Sequence, residues 1–287
     1  MAPGTGFRSN NFLHLYLPKS FLFYLCVVME TISIGKEQVP ALGLGTYNLQ
    51  GRAGEQAISS AISMGYRHID TAQFYRNEDA VGNAVKDSGV DRKEFFITTK
   101  VWPTDFNKKN FVPNVEQSLR DLKTEYVDLL LLHWPSDEDA NKRALDLLLE
   151  CSHKKYTRLT GVSNFSIVQM ENARKKIPVF CNQVEYNPYK NQDAMLRYIQ
   201  ENNLLLTAYS PLAVGKINND KVLISLAEKY SVTPGQLTLR WLLQQKNVSP
   251  IPKAKSEKHL KENMEVFNFT ISTQDMKAIS DLTQSRE

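Results

Sequence analysis

The chain has 287 residues, of which 42% are hydrophobic and 23% charged, and its net charge at pH 7 is +4. These values are ordinary for a soluble globular domain, and the small excess of positive charge forms no basic stripe of the kind that nucleic acid requires. The cysteines Cys26, Cys151 and Cys181 form no Cys-x-x-Cys pair and no metal-ligand cluster, so a metal site is not expected.

The N-terminal segment contains an apolar stretch at 21–28, after Lys19. It is too short to span a bilayer as a helix, and no small-x-small cleavage site of a signal peptide follows it. We therefore expect residues 1–28 to be an extension before a domain at 29–287, with a membrane-tethering segment as the alternative. Three cysteines without a Cys-x-x-Cys pair fit a reducing compartment, so the cytoplasm is the expected location.

Signals for strands and helices alternate along the remaining chain. A small hairpin at 31–40, turning near Gly35, comes first. Strands are predicted at 41–44, 66–69, 95–100, 127–132, 159–162, 180–184, 204–208 and 248–251. Helices are predicted at 55–64, 77–86, 112–122, 137–151, 167–175, 192–202, 220–230, 233–244, 257–266 and 273–282.

This alternation predicts an α/β fold with a parallel sheet. Eight strand–helix units in about 250 residues favour a closed (β/α)8 TIM barrel, here with an N-terminal β-hairpin, over an open sheet. A Rossmann fold needs the pattern Gly-x-Gly-x-x-Gly, and the glycines at Gly43 and Gly45 lack the third member.

Ionisable side chains stand where three successive predicted strands end. Lys100 ends one of them, Asp70 and His133 directly follow the other two, and Tyr75 lies on the loop after Asp70. Active sites of such barrels gather at the carboxyl ends of the strands, so these side chains are expected in one mouth. A carboxylate, a phenol, an ammonium and an imidazole in one pocket indicate a proton-transfer site.

Tyrosine has a pKa of about 10, which a neighbouring ammonium lowers. We expect Lys100 to lower the pKa of Tyr75, Asp70 to hold Lys100, and His133 to bond an incoming carbonyl oxygen. Tyr75 would then donate a proton to that oxygen while a hydride arrives at carbon. Each residue alone also has a structural interpretation, as an ion pair, a packed ring or a core histidine.

Several strings in the chain resemble the aldo-keto reductase family, closest to its 2,5-diketo-gluconate and methylglyoxal reductase group. The resemblance runs from Ile32 to Leu282 and keeps the order of the family's motifs. The strings are GYRHIDTA (65–72), TKVW (99–102), LHWP (132–135), GVSNF (161–165), NQVE (182–185), YSPL (209–212) and IPK (251–253).

The resemblance implies a metal-free, NADPH-dependent carbonyl reductase. It places Asp70, Tyr75, Lys100 and His133 on the catalytic tetrad. It implies cofactor contacts from Thr46, Asp70, Ser163, Asn164, Gln183, Tyr209, Ser210, Leu212, Lys253, Ser256, His259, Glu262 and Asn263. It also implies substrate contacts from Tyr47, Trp102, His133 and Trp134. Within the cofactor set, Ser163, Asn164 and Gln183 would hold the nicotinamide carboxamide, Tyr209 would stack on its ring, and Ser210 and Leu212 would contact the pyrophosphate.

The adenine end departs from the family pattern, because Ala254 and His259 replace a serine and an arginine. Histidine holds a phosphate less well than arginine and only when protonated, so NADPH is expected and NADH is the alternative.

The expected function is reduction of small aldehydes, ketones, dicarbonyls or keto-sugars by a cytoplasmic monomer. The alternatives from other classes are a cofactor-binding regulatory module, similar to the barrel subunits of potassium channels, and a crystallin-like structural protein.

Overall fold

The computed structural model of the protein describes residues 30–190 and 192–283. The extension expected at 1–28 therefore lies outside the described residues. The described chain begins with an antiparallel hairpin of β1 (Thr31–Ile34) and β2 (Glu37–Pro40), as the sequence predicts.

Eight parallel strands then alternate with helices. The strands are β3 (Gly43–Gly45), β4 (His68–Asp70), β5 (Phe96–Val101), β6 (Val127–Leu132), β7 (Thr157–Ser163), β8 (Val179–Glu185), β9 (Leu205–Tyr209) and β10 (Val248–Pro250). The helices are α1 (Gly51–Ser63), α2 (Glu78–Asp87), α3 (Phe111–Asp121), α4 (Glu138–His153), α5 (Ile167–Arg174), α6 (Asp193–Glu201), α7 (Lys221–Lys229), α8 (Pro234–Leu243), α9 (Glu257–Met264) and α10 (Thr273–Ser280).

The strands pair in chain order from β3 to β10. The sheet closes on itself where the backbone N–H of Gly45 donates to the carbonyl of Pro252 at 3.1 Å. A Cβ atom at Gly45 would lie 2.6 Å from the Ile251 carbonyl oxygen, so glycine is what lets the first strand approach the last. The predicted (β/α)8 barrel is confirmed.

The hairpin plugs the amino-terminal end of the barrel. Ile34 and Val39 of the hairpin are buried in one apolar cluster with Phe96 and Leu205, the first residues of β5 and β9. The opposite end, where the strands finish, carries the loops and is the expected place for a site.

The observed boundaries lie within two residues of the predicted ones, as in strand β4, which covers His68–Asp70 rather than 66–69, with one exception. Helix α1 begins at Gly51 rather than at residue 55. The start of α1 carries no sequence signal, because Gln50 makes no capping hydrogen bond and no acid stands in the first turn.

Candidate active site

A cavity of about 920 Å³ opens at the carboxyl ends of the barrel strands. All the residues predicted for catalysis or binding line it except Lys100 and Ser256. The lining includes Thr46, Tyr47, Asp70, Tyr75, Trp102, His133, Trp134, Ser163, Asn164, Gln183, Tyr209, Ser210, Leu212, Lys253, His259, Glu262 and Asn263.

Lys100 lies fully buried behind the cavity wall. Its Nζ donates to Oδ1 of Asp70 at 2.5 Å and to the carbonyl of Thr71 at 2.7 Å. Nζ also lies 3.5 Å from the hydroxyl of Tyr75. Two of its three N–H groups therefore fix the ammonium, and the third points toward the phenol.

Tyr75 ends a short 3₁₀ helix, Gln73–Tyr75, and Arg76 follows in the left-handed region at φ 53°. The side-chain amide of Gln50 donates to the carbonyl of Tyr75 at 2.8 Å. Buried Asn77 donates to the carbonyls of Thr46 and Leu49, both at 2.8 Å. These bonds hold the Tyr75 turn against the loop after β3.

Burial raises the pKa of Tyr75 above its usual value, although the Lys100 ammonium works in the opposite direction. Lys100 therefore acts in the expected direction, but desolvation of the phenolate outweighs the attraction to the ammonium and the pKa of Tyr75 is raised. For Lys100 itself, burial lowers the pKa, but Asp70 and Tyr75 outweigh it and the pKa is raised. At neutral pH the phenol keeps its proton and the ammonium keeps its charge, which is the state a general acid needs.

His133 directly follows β6, with its ring centroid 5.6 Å from that of Tyr75 and 5.0 Å from that of Trp102. Burial, together with the charge on Lys100, lowers the pKa of His133 to about 3. The imidazole is therefore neutral, and a neutral imidazole offers one N–H donor. In the described residues, Nδ1 of His133 has no hydrogen-bond partner.

A wall of hydrogen-bonded polar side chains continues from the tetrad. Asn164 donates to Oγ of Ser163 at 3.0 Å and accepts from the hydroxyl of Tyr209 at 2.9 Å. Gln183 donates to Oδ2 of Asp70 at 2.7 Å. Side-chain amides and hydroxyls both donate and accept, so this wall fits the carboxamide of a nicotinamide.

The other end of the cavity carries positive charge. Lys253, Lys258 and His259 line it beside the N-terminus of α9. Cations and a helix N-terminus favour a phosphate, and the loops after the last two strands are a frequent phosphate site in such barrels. Ser256 lies outside the lining, and its hydroxyl accepts from the backbone N–H of His259 at 3.3 Å as the N-cap of α9.

Some lining residues carried no sequence prediction. The short helical segment Ala213–Asn219, after β9, contributes Val214, Gly215, Ile217 and Asn218 to the cavity. Val214 is 96% exposed and adopts φ 52°, which is unusual for a β-branched residue. The turn-forming residues Gly215 and Asn218 mark a loop in the sequence, but nothing in the pattern places that loop over the cavity.

Within 30–190 and 192–283, no group of three or more His, Cys, Asp or Glu side chains could hold a metal ion. In the same part of the chain, no helix is both long and apolar enough to cross a membrane. Cys151 and Cys181 are unpaired and buried, and burial raises the pKa of each thiol to about 12.

Comparisons with known proteins identify similar chains across nearly the whole described length. The Aldo/keto reductase family model matches residues 41–284. Methylglyoxal reductase DkgB of Escherichia coli O157:H7 is 38% identical over 85% of this chain and 93% of its own. Glycerol 2-dehydrogenase (NADP(+)) of Saccharomyces cerevisiae is 34% identical over 87% of this chain and 89% of its own. A crystal structure described as a 2,5-diketo-D-gluconic acid reductase B matches with a TM-score of 0.86 at 38% identity, covering 90% of this chain and 93% of that one.

Proposed function

The chain belongs to the aldo/keto reductase family and is an oxidoreductase acting on carbonyl groups, and we propose that Tyr75 is its general acid. The observation that carries the proposal is the placement of Lys100, whose Nζ lies 2.5 Å from Asp70 and 3.5 Å from the hydroxyl of Tyr75. The similar proteins are reductases and dehydrogenases, so they favour neither the regulatory nor the structural alternative.

The side chains of the site divide the proton chemistry between them. The neutral ring of His133 donates an N–H to the carbonyl oxygen and orients it. Tyr75 gives its proton to that oxygen, and Lys100 stabilises the resulting phenolate. Asp70 balances the charge of Lys100 and holds its position. NADPH, when bound, supplies the hydride that carbon receives.

We propose NADPH as the preferred cofactor. Ser163, Asn164 and Gln183 would hold its carboxamide, and Tyr209 would present a ring to its nicotinamide. Ser210 and Leu212 would contact its pyrophosphate, and the remaining predicted contacts would lie along the cofactor toward α9. The exposed cations Lys253 and Lys258 at this end support a 2′-phosphate, and the yeast relative carries NADP(+) in its name.

Exchange of His259 tests the phosphate end. His259→Arg adds a planar, permanently charged donor, so NADPH binding should tighten about tenfold, the worth of one charge-assisted hydrogen bond, while NADH binding stays constant. Titration calorimetry with each cofactor measures this. Equal tightening of both cofactors would mean that residue 259 does not meet the 2′-phosphate.

Small aldehydes, ketones, dicarbonyls and keto-sugars are the proposed substrates. The cavity mouth has an aromatic rim that is open to solvent, since Tyr47 is 52% and Trp134 42% exposed. Trp102 stacks on Phe74 with centroids 4.3 Å apart, giving a flat wall beside His133. The names of the similar proteins include methylglyoxal, glycerol and 2,5-diketo-D-gluconic acid, all small and polar.

Oxidation of NADPH by the wild-type protein and by Tyr75→Phe tests the whole assignment. Methylglyoxal, a keto-sugar and an aromatic aldehyde serve as substrates. Without the phenolic proton, kcat should fall by about 10³-fold, while the Kd for NADPH changes less than about twofold. Full activity of the variant would refute the acid assignment, and loss of cofactor binding would make Tyr75 a structural residue.

We also propose a monomeric, cytoplasmic enzyme whose barrel domain spans 29–287. The buried, unpaired Cys151 and Cys181 suit a reducing compartment. The exposed aromatic rings Tyr47, Phe74 and Trp134 line the cavity rather than a separate surface. Light scattering after size-exclusion chromatography measures the mass, and removal of residues 1–28 tests the domain boundary.

A further inference from the structure

Glu78 is a buried carboxyl group that the reaction chemistry does not use. It is the first residue of α2, is 7% exposed and does not line the cavity. Its Oε1 accepts a hydrogen bond from Oγ1 of Thr99 at 2.5 Å. Thr99 directly precedes Lys100 on β5, and neighbouring strand residues point to opposite faces. The bond therefore holds, from the helix side, the strand whose inner face presents Lys100.

The backbone of Glu78 leads to the Tyr75 turn. Glu78 lies three residues after Tyr75, and Asn77 between them anchors the segment by donating to the carbonyls of Thr46 and Leu49. Glu78 thus connects the strand of the ammonium, through its side chain, with the turn of the phenol, through its backbone.

We propose that Glu78 is a positioning residue for carbonyl reduction, whose carboxylate fixes the separation between Nζ of Lys100 and the hydroxyl of Tyr75 through its hydrogen bond to Thr99. The inference rests on the proposed function, since it needs Tyr75 as the acid. Displacements of about 1 Å at a reacting group cost up to about 10²-fold in rate, so such a link has a kinetic consequence.

The surroundings of Glu78 make the link sensitive to pH. Burial raises the pKa of Glu78 to about 7, against the opposing effect of the neighbouring Thr99 and Ser118 hydroxyls. Asp121 on α3 raises this pKa further, and Lys100 on β5 lowers it. On α1, Glu55 contacts α2, since its carboxylate accepts from Asn83 at 2.8 Å.

Protonation would change what the carboxyl can do. The carboxylate accepts a charge-assisted hydrogen bond from the Thr99 hydroxyl, and such bonds are about twice as strong as those between neutral groups. Protonation removes the charge and weakens this contact. Below the pKa of Glu78, the turn of Tyr75 is therefore held less firmly to β5.

The test compares Glu78→Gln with Glu55→Gln in the full chain. The amide keeps the size of Glu78 but resembles its protonated form at every pH. We measure kcat and KM for methylglyoxal reduction between about pH 5 and pH 9, together with the Kd for NADPH. For the wild type, kcat should fall about tenfold as Glu78 becomes protonated. Glu78→Gln should show the low value throughout, with KM and Kd unchanged, and Glu55→Gln should follow the wild type.

A second variant removes the other side of the contact. Thr99→Val keeps the shape of the side chain and leaves Glu78 in place but deletes the hydroxyl that bonds it, so it should lower kcat and leave KM and Kd unchanged. This variant carries the test if Glu78→Gln does not fold. Infrared difference spectra add a readout without turnover, since the band of a protonated carboxyl should titrate near neutral pH and vanish in Glu78→Gln.

Three results would overturn the proposal. One is a kcat profile of Glu78→Gln that superimposes on the wild type. Another is a parallel loss of kcat, NADPH affinity and thermal stability in Glu78→Gln while Thr99→Val stays fully active, which marks a purely structural role. The third is a band that does not titrate. Failure of the proposed function is recognised separately, because Tyr75→Phe would then retain full turnover.

Discussion

Two buried aspartates at opposite ends of the barrel show how similar ion pairs serve different purposes. Asp70 ends β4 at the cavity, and Asp128 lies near the start of β6 at the end that the hairpin plugs; each is 1% exposed. Asp128 accepts from Arg92 at 2.9 Å, from Arg158 at 2.7 Å and from the backbone N–H of Ile97 at 2.9 Å.

The ion pairs of Asp128 and Asp70 differ in the partners of the remaining N–H groups of their cations. Arg158 also bonds Glu37 of the hairpin at 2.6 Å, so the ion pairs around Asp128 join the hairpin to the barrel. Lys100, paired with Asp70, directs its remaining donor at the hydroxyl of Tyr75. A buried ion pair supports chemistry when its cation also contacts a titratable group that faces a cavity, and it supports structure when its donors end on backbone and carboxylates.

The largest expected effect breaks the pair at the cavity. Lys100→Met leaves Asp70 buried without its cation and Tyr75 without a partner for its phenolate. We expect kcat to fall by about 10³-fold and the free energy of unfolding to fall by about 3 kcal/mol. NADPH oxidation and urea denaturation measure the two effects. A variant with normal turnover would show that the ammonium has no catalytic part.

Breaking the pair at the plugged end should affect stability alone. Asp128→Asn removes the charge between two arginines, one of them half exposed, so we expect a loss of about 2 kcal/mol in the free energy of unfolding. Its kcat should stay within about twofold of the wild type at a temperature where both are folded. A large drop in kcat with unchanged KM would show that the two ends are coupled.

A smaller effect is expected in the pH dependence of the free energy of unfolding, to which His133 contributes at the cavity end. His133 has a pKa of about 3 in the fold and about 6.5 when unfolded, so the unfolded chain binds more protons between these values. The free energy of unfolding should therefore fall as the pH drops from about 6.5 toward 3, by at most about 1.4 kcal/mol per pH unit from this group.

His133→Gln should show a correspondingly shallower slope in urea denaturation across that range. Glu78 has the opposite sign between its unfolded pKa and about 7, but it contributes equally to both proteins. Identical slopes would mean that His133 is protonated as easily in the fold as in the unfolded chain.

The barrel and the meeting of Asp70, Tyr75, Lys100 and His133 at one end of it could be predicted from the sequence, because both follow from local patterns. The sequence alone shows the apolar run of β6, which is buried at all six positions, and the ionisable residues at the strand ends. It does not show the net pKa of Tyr75, since that depends on how deeply the fold buries the ring. The contact between Thr99 and Glu78 joins two elements, and no periodicity reports it.

The backbone conformation of the cavity wall at Ala213–Asn219 could not be predicted from the sequence either. A sequence rule keeps β-branched residues out of left-handed conformations, yet Val214 adopts one. The path of this segment is determined by the elements it connects, β9 and α7, rather than by its own preferences. The role of Ser256 also depends on neighbours, since the structure uses its hydroxyl to cap α9.

The closing bond between Gly45 and Pro252 has a consequence for how the protein is made. During synthesis, β3 emerges early, whereas its partner segment beyond β10 emerges only when most of the chain has left the ribosome. Until then the outer edge of β3 exposes unpaired backbone groups, which is the kind of edge that recruits other strands. Nascent chains that stall before Pro252 should therefore be more prone to aggregation than chains that stall after it.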